Sequence, residues 1–535
     1  MLVSARLRPA AHSRPSARQA PRSAERARTS AGQATECGSG YDDLRMTAHF
    51  LAFDLGAESG RTMLGRLCSG VLTLTEVSRF ANEPVRYNGA LQWDILRLWL
   101  EMQRSLERVP DTTLESIGID TWGCDYALVG EQGALLGNPY HYRDSRTDGI
   151  MDAVFERVSR AAIYETTGIQ FLAINTLFQL YAACQKTPQL VDAARAFGTI
   201  PDILNYWLTG KLTSEFTNAT TTQLVDARTR SWAIELLESL EIPTRLFMPI
   251  VEPGTEIGRV RPEILRTFAD TPVIAPACHD TASAVAAVSC GGRRAFLSSG
   301  TWSLLGTELP APIITTRARD LNFTNEGGVC GTTRLLKNIS GMWLLQACRR
   351  TWADRDQRFG YDELLTAAAE EPPFRALVDP DHRAFLHPSN MVTAIAEYCA
   401  QTGQPVPEGP PGFSRTILES LAFKYRHVLE SLEELTGTTF DEIRIVGGGS
   451  RNRLLNQLTA DATGKTVVAG PVEATALGNI AMQMLATGAV SSLDAARGII
   501  ERSFPVERFE PSDGDQWNRH YGRFREYVDA GVLRF

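Results

Sequence analysis

The sequence predicts an α/β protein made of two related domains that face one another. Three observations carry this expectation. Strand and helix signals near the start run in the order β-β-β-α-β, with short turns between the first three strands. A glycine-containing strand–turn–strand recurs in the second half, from Arg294 to Thr307. Finally, three stretches of small residues each follow an apolar strand and are divided between the two halves. A length of 535 residues suits at least two domains.

The elements follow in order. Residues 1–45 hold eight Arg with many Ser and Ala and few large apolar side chains. Such a segment buries too little surface to offset its ordering entropy, so it reads as a disordered extension. An Arg- and Ser-rich start also fits a transit peptide, and Met46 opens a natural first strand. Phe50–Leu55, Arg61–Leu67 and Val71–Phe80 are expected as an antiparallel meander. Asp94 is expected to cap a helix buried through Ile95, Trp99, Met102, Leu106 and Val109, and Leu114–Thr121 to form the next strand. In the second half, Glu442–Val446 and Thr466–Ala469 read as strands. Arg451–Thr463 and Glu473–Ala486 read as helices. Cys290-Gly291-Gly292 interrupts the pattern, which puts the boundary near 290: one domain over 46–290, the other over 291–535.

Composition narrows the function. A net charge of −8 speaks against a nucleic-acid footprint, and no apolar run approaches the ~18 residues of a membrane span. Nine scattered cysteines contain no C-x-x-C pair, which argues against a zinc site or disulfide framework and suits a reducing cytoplasm. Anionic ligands remain open, because backbone N–H groups and a metal ion can hold a phosphate without net positive charge.

The small-residue stretches are the candidates for that task. In Asp54-Leu55-Gly56-Ala57-Glu58-Ser59-Gly60-Arg61, small residues let the backbone approach phosphate oxygens. Asp54 at a strand end can hold a hydrated Mg²⁺, and Arg61 can clamp a phosphate. Glu58 is expected to point away from the phosphates, which it would repel. Leu297 to Ser303 repeats the strand–turn–strand logic with hydroxyls, Thr301 among them. Val446-Gly447-Gly448-Gly449-Ser450 suits an adenosine lying on bare backbone. Each alone is also explained by an ordinary turn, but together they describe a nucleotide in a cleft. Gly464-Lys465-Thr466 is not a P-loop, since position 459 is Thr and the element order is reversed.

Asp280 lies between a short strand and a helix, where it serves either as proton acceptor or simply as a helix cap. Thr121-Trp122-Gly123-Cys124-Asp125 offers an aromatic face and a carboxylate for a polyol, or else core packing around Trp122. Ser340 is a candidate cap for a helix carrying Trp343, with amides at Asn338 and Gln346 on either side.

DLGAESGR, IDTWGCD, YRDSRT, IPDILNYWLTGK, HDTASAV, SSGTWSLLG, NEGG, LKNISGMWLLQ and IVGGGSRNRLLNQL occur in this order from about Met46 to Ala486. Together they resemble the FGGY carbohydrate kinases of the actin/heat-shock ATPase/hexokinase superfamily. The resemblance implies two ribonuclease-H-like, actin-type domains flanking an interdomain nucleotide cleft. TWGCD, HDTAS and LKNISGMWLLQ narrow it to members that use ATP and Mg²⁺ to phosphorylate L-rhamnulose at its 1-hydroxyl. Fuculose and xylulose kinases, and a non-catalytic sensor of this fold, are the alternatives. Carried over residue by residue, Ala57, Glu58, Ser59, Gly60, Arg61, Thr301, Gln346 and Gly448 would contact ATP, with Asp54 near Mg²⁺. Gly123, His279, Thr281 and Asn338 would contact the sugar, and Asp280 would accept its proton. The N-terminal extension departs from the family pattern. So do Thr459 and Thr463, which stand where some relatives carry a cysteine pair.

Overall fold

The computed structural model describes residues 47–264, 266–354, 358–386 and 388–531. The expectation for residues 1–45 lies outside them. The first sheet is built on the predicted meander. β1 (Ala48–Leu55), β2 (Ser59–Cys68) and β3 (Val71–Ala81) are antiparallel neighbours. Helix α1 (Ile95–Leu106) follows, with the Asp94 side chain accepting from Arg97 N–H at 3.0 Å. β4 (Ser116–Thr121) then pairs parallel to β1. A long excursion later, β5 (Thr255–Arg259) and β6 (Pro272–Ala275) complete the order β5-β6-β4-β1-β2-β3. The buried stripe of α1 runs through Leu98 rather than Trp99. Trp99 sits at the stripe's edge, half-buried, and packs edge-on against Trp207. Val109 is buried but lies past the helix end.

Helix α2 (Asp280–Ala286) leads to the second sheet. Its strands are β7 (Arg294–Ser299), β8 (Trp302–Leu309), β9 (Thr324–Gly327) and β10 (Thr333–Ser340). Helices α3 (Trp343–Ala353) and α4 (Gly409–Thr436) come next in the chain. β11 (Glu442–Val446), α5 (Arg453–Thr463), β12 (Thr466–Ala469), α6 (Ala474–Ala486) and β13 (Glu507–Phe509) finish it. The order is β9-β10-β8-β7-β11-β12-β13. Pairing by pairing, β7, β8, β10, β11, β12 and β13 repeat β1, β2, β3, β4, β6 and β5, with β9 added at the edge. The sequence similarity of the two halves thus reflects one topology used twice. Ser340 does not cap α3. It ends β10, where its N–H donates to Asp381 Oδ1 at 2.7 Å, and Met342 precedes the helix. Likewise α5 begins at Arg453, because Gly448–Arg451 winds as a short 3₁₀ turn.

Each sheet packs its own apolar core, with Trp93, Leu98 and Ile119 in the first and Phe323, Leu421 and Phe423 in the second. What joins them is α6. It follows the second sheet's strands in sequence yet packs on α2 and on β1 and β4. At that crossing a Cβ on Gly478 would come within 1.7 Å of Ser283 O. A buried polar chain keys α6 to the first sheet: Asn479 Nδ2 donates to Asp120 Oδ2 (2.6 Å), and Gln483 Nε2 donates to Asn479 Oδ1 (2.7 Å) and Leu51 O (3.1 Å). Buried amides satisfied this way fix one relative placement of the packed elements.

Candidate active site

A cavity of about 360 Å³ opens between the two sheets and is lined by all three small-residue stretches. The first turn joins β1 to β2, closed by Gly56 N–H on Ser59 O (3.0 Å). A second joins β7 to β8, closed by Gly300 N–H on Trp302 O (2.9 Å). The triple glycine lies directly on that second turn. Gly447 takes φ +81, and a Cβ on Gly449 would fall 2.0 Å from Ser299 Oγ. Glycine is required there because the neighbouring loop occupies the side-chain space.

Of the expected nucleotide contacts, Ala57, Glu58, Ser59, Arg61, Thr301 and Gly448 line this cavity. Three expectations change. Gly60 does not reach it: a Cβ there would strike the Phe80 ring at 2.3 Å, so this glycine serves strand packing. Glu58 does not point away but crosses the cleft to accept from Thr301 Oγ1 at 3.0 Å, drawn by a donor on the opposite hairpin. The Arg61 guanidinium is engaged by carboxylates, pairing with Asp54 (2.6 Å) and with Glu473, rather than reaching freely into the cavity. Gln346 stands behind the wall. Its Nε2 donates to Thr301 Oγ1 at 3.2 Å, and its buried Oε1 has no protein partner.

Carboxylates gather at the deep end. Asp54 and Asp120 are register partners on β1 and β4, both buried. Burial pushes Asp54 up to about 6 against the pull of Arg61, with Asp280 and Glu473 adding to the rise. Burial, then the neighbouring Asp54, holds Asp120 well above the ordinary carboxylate range. Asp54 and Asp280 both face the cavity. A buried carboxylate beside open space, as at Asp54, suits a hydrated Mg²⁺, which takes few protein ligands and keeps its waters.

Asp280 opens α2 at the end of the β6 connection, one residue after His279 occupies the cap position. Its Oδ1 accepts from Thr281 N–H (2.5 Å) and Thr281 Oγ1 (3.1 Å). Gly123, His279, Thr281 and Asn338 line the same cavity, as does Trp122. Trp122 also belongs to the core, with its ring 4.3 Å from Trp93. Asp125 is not available to a polyol. It is fully buried and accepts from Trp93 Nε1 (2.5 Å), Trp122 Nε1 (2.9 Å), Tyr142 N–H (3.2 Å) and Gln179 Nε2 (3.0 Å).

Sequence reasoning missed several groups. Gln170 Oε1 accepts from Asn338 N–H (2.9 Å) and Nδ2 (3.1 Å), but it comes from a loop without a pattern. Glu326 and Arg334 meet His279 from β9 and β10. The NEGG motif marked Glu326, but nothing in the sequence said what it touches.

Two domains of one topology, closing on a cavity lined by paired glycine hairpins and an aspartate, define a phosphotransferase of the actin-like fold. Residues 49–287 match the model described as the FGGY family of carbohydrate kinases, N-terminal domain, and 295–487 match its C-terminal domain. The chain belongs to the FGGY family of carbohydrate kinases. Among curated relatives, the rhamnulokinase of Bacteroides thetaiotaomicron is 46% identical over 488 residues, covering 90% of this chain and 100% of that protein. The rhamnulokinase of Bacillus subtilis is 41% identical over 473 residues, covering 87% and 96%. Among solved structures, a gluconate kinase from Lactobacillus acidophilus superposes with a TM-score of 0.76 at 17% identity, covering 91% of this chain and 99% of that one. A Plasmodium falciparum glycerol kinase with ADP gives 0.73 at 17%, covering 91% and 99%. At that identity these two likenesses concern the fold alone.

Proposed function

We propose that this chain transfers the γ-phosphoryl group of ATP to O1 of L-rhamnulose. The observation that carries the reaction type is the meeting of three phosphate-sized backbone turns and Asp280 in one interdomain cavity. The choice of sugar rests on the rhamnulokinase relatives, which cover most of the chain at above 40% identity.

The turns at Gly56–Ser59 and Ser299–Thr301 cradle the phosphates with backbone N–H groups, and the glycines at 447–449 leave a bare surface for the adenosine. Thr301 and Gln346 form one hydrogen-bonded unit at the nucleotide side. Asp54 would hold Mg²⁺, which supplies charge neutralisation to the triphosphate when bound. Gly123 packs on Thr221, which a Cβ would meet at 2.8 Å, and lines the cavity on the sugar side, while His279, Thr281 and Asn338 bring polar groups to it. Asp280 takes the O1 proton. O1 bonds to the γ-phosphorus in line, and the bond from that phosphorus to the bridging oxygen breaks, releasing ADP. Closure around the sugar excludes water that would otherwise take the phosphoryl group.

The cysteines from Cys124 to Cys399 are free thiols, which suits the reducing cytoplasm. Among the described residues no helix is long and apolar enough to cross a membrane. The test is a coupled ADP-release assay across a ketose panel. L-rhamnulose should give the highest kcat/KM. Equal values for L-fuculose or D-xylulose would refute the sugar assignment, and no sugar-dependent ADP with any ketose would refute the reaction.

A further inference from the structure

We infer that Arg334 is a positioning residue: it holds His279 as the neutral tautomer with its proton on Nε2, the ring nitrogen nearest Asp280. The inference rests on the phosphoryl-transfer reading above and adds to it a residue that acts through His279.

Glu326 and Arg334 are register partners across β9 and β10. Arg334 is fully buried, an expensive position for a guanidinium. An apolar pair would fill the same space at lower desolvation cost, so the pair is expected to do something apolar side chains cannot. Its Nε donates to Gly327 O at 2.8 Å. One amino group, Nη2, lies 3.2 Å from Glu326 Oε2 and 3.2 Å from His279 Nδ1. Its hydrogen bond goes to His279, and the contact with Glu326 is an ion pair.

Guanidinium has only donors. A hydrogen bond from it therefore makes Nδ1 the acceptor and places the imidazole proton on Nε2. Glu326 Oε2 also approaches Nδ1, at 3.4 Å, but makes no hydrogen bond there. Its role is to keep Arg334 company as counter-charge.

The consequence falls on Asp280. His279 Nε2 is 3.5 Å from Asp280 Oδ1, the oxygen already served by Thr281 N–H and Oγ1. Among the described residues, both Thr281 donors fall on Oδ1 and the Nε2 proton lies beside that oxygen without a hydrogen bond to it, leaving Oδ2 for the sugar hydroxyl. With the opposite tautomer, an imidazole lone pair would face the carboxylate and compete with it for the same proton.

The experiment uses full-length protein labelled with [¹⁵N]histidine. Long-range ¹H–¹⁵N correlation reads each tautomer, and loss of one spin system in His279→Asn assigns residue 279. The expected pattern is a proton on Nε2. A proton on Nδ1, or on both nitrogens, overturns the inference without any variant having to fold. In Arg334→Met the proton should move to Nδ1, with Glu326 as acceptor. kcat should then drop by about tenfold, the worth of one good hydrogen bond, with the KM for ATP unchanged. Arg334→Lys keeps a donor and should restore part of the loss. A folded Arg334→Met that keeps both the Nε2 proton and wild-type kcat overturns the inference. Failure of the kinase reading would look different: no sugar-dependent ADP would form with any ketose while the histidine pattern stayed as expected.

Discussion

Gly478→Ala places one methyl group at the crossing of α2 and α6, where its Cβ would lie 1.7 Å from Ser283 O and 3.1 Å from Ala287 N. Both are backbone atoms, so no side chain can swing aside. Ordinary contact begins near 3.4 Å, and the helices must part by roughly 1.5 Å to restore it. α2 starts with Asp280, one turn before Ser283, which takes the strain. α6 also carries Asn479, whose amide holds Asp120 beside Asp54. A shift of about 1 Å at reacting groups can cost about 100-fold in rate, and overpacking costs about 1–3 kcal/mol in stability. The expected outcome is a kcat lowered by about two orders of magnitude, together with a lower Tm. Gly522→Ala is the control. It lies exposed on the C-terminal helix with nothing near its added Cβ, and should leave kcat unchanged while raising Tm slightly. ADP release and thermal melting read both variants. A Gly478→Ala enzyme with kcat within about twofold of wild type and an unchanged Tm would refute the claim that this crossing sets the position of Asp280.

Asp280→Asn should leave ATP binding intact and slow transfer by about 10²–10⁴-fold, measured as single-turnover rate against nucleotide affinity. Thr301→Val removes the hydroxyl that links Glu58 to Gln346 across the cleft. It should raise the KM for ATP by about tenfold, the worth of one good hydrogen bond, with little change in the KM for sugar. Asp125→Ala strips the common acceptor from two indoles, one backbone N–H and one amide. Urea unfolding should show a loss of about 3–5 kcal/mol. Burial pushes Asp202 up to about 7 from an ordinary 3.8. Because its folded value is raised, its stabilising contribution is complete below 3.8 and is lost as pH rises through about 7. Asp202→Asn should therefore flatten the dependence of Tm on pH across that window, and an unchanged slope would contradict the shift.

Local patterns in the sequence determined the doubled architecture. Apolar runs ending in glycine turns are local, and they recur at Leu55-Gly56, Ser299-Gly300 and Val446-Gly447, so the first meander, the second-half hairpin and the glycine turns were all legible. The position of Asp280 at a strand-to-helix junction was legible for the same reason. Tertiary structure alone decided which side chains those turns keep. Arg61 is drawn to the carboxylates of Asp54 and Glu473, the latter 412 residues away, and Glu58 to a hydroxyl on the facing hairpin. Asp125 is buried because two tryptophans and a glutamine converge on it, and His279 is oriented by Arg334 from a distant strand. Electrostatic and hydrogen-bond partners are chosen by distance in space, and spacing along the chain carries no record of that distance.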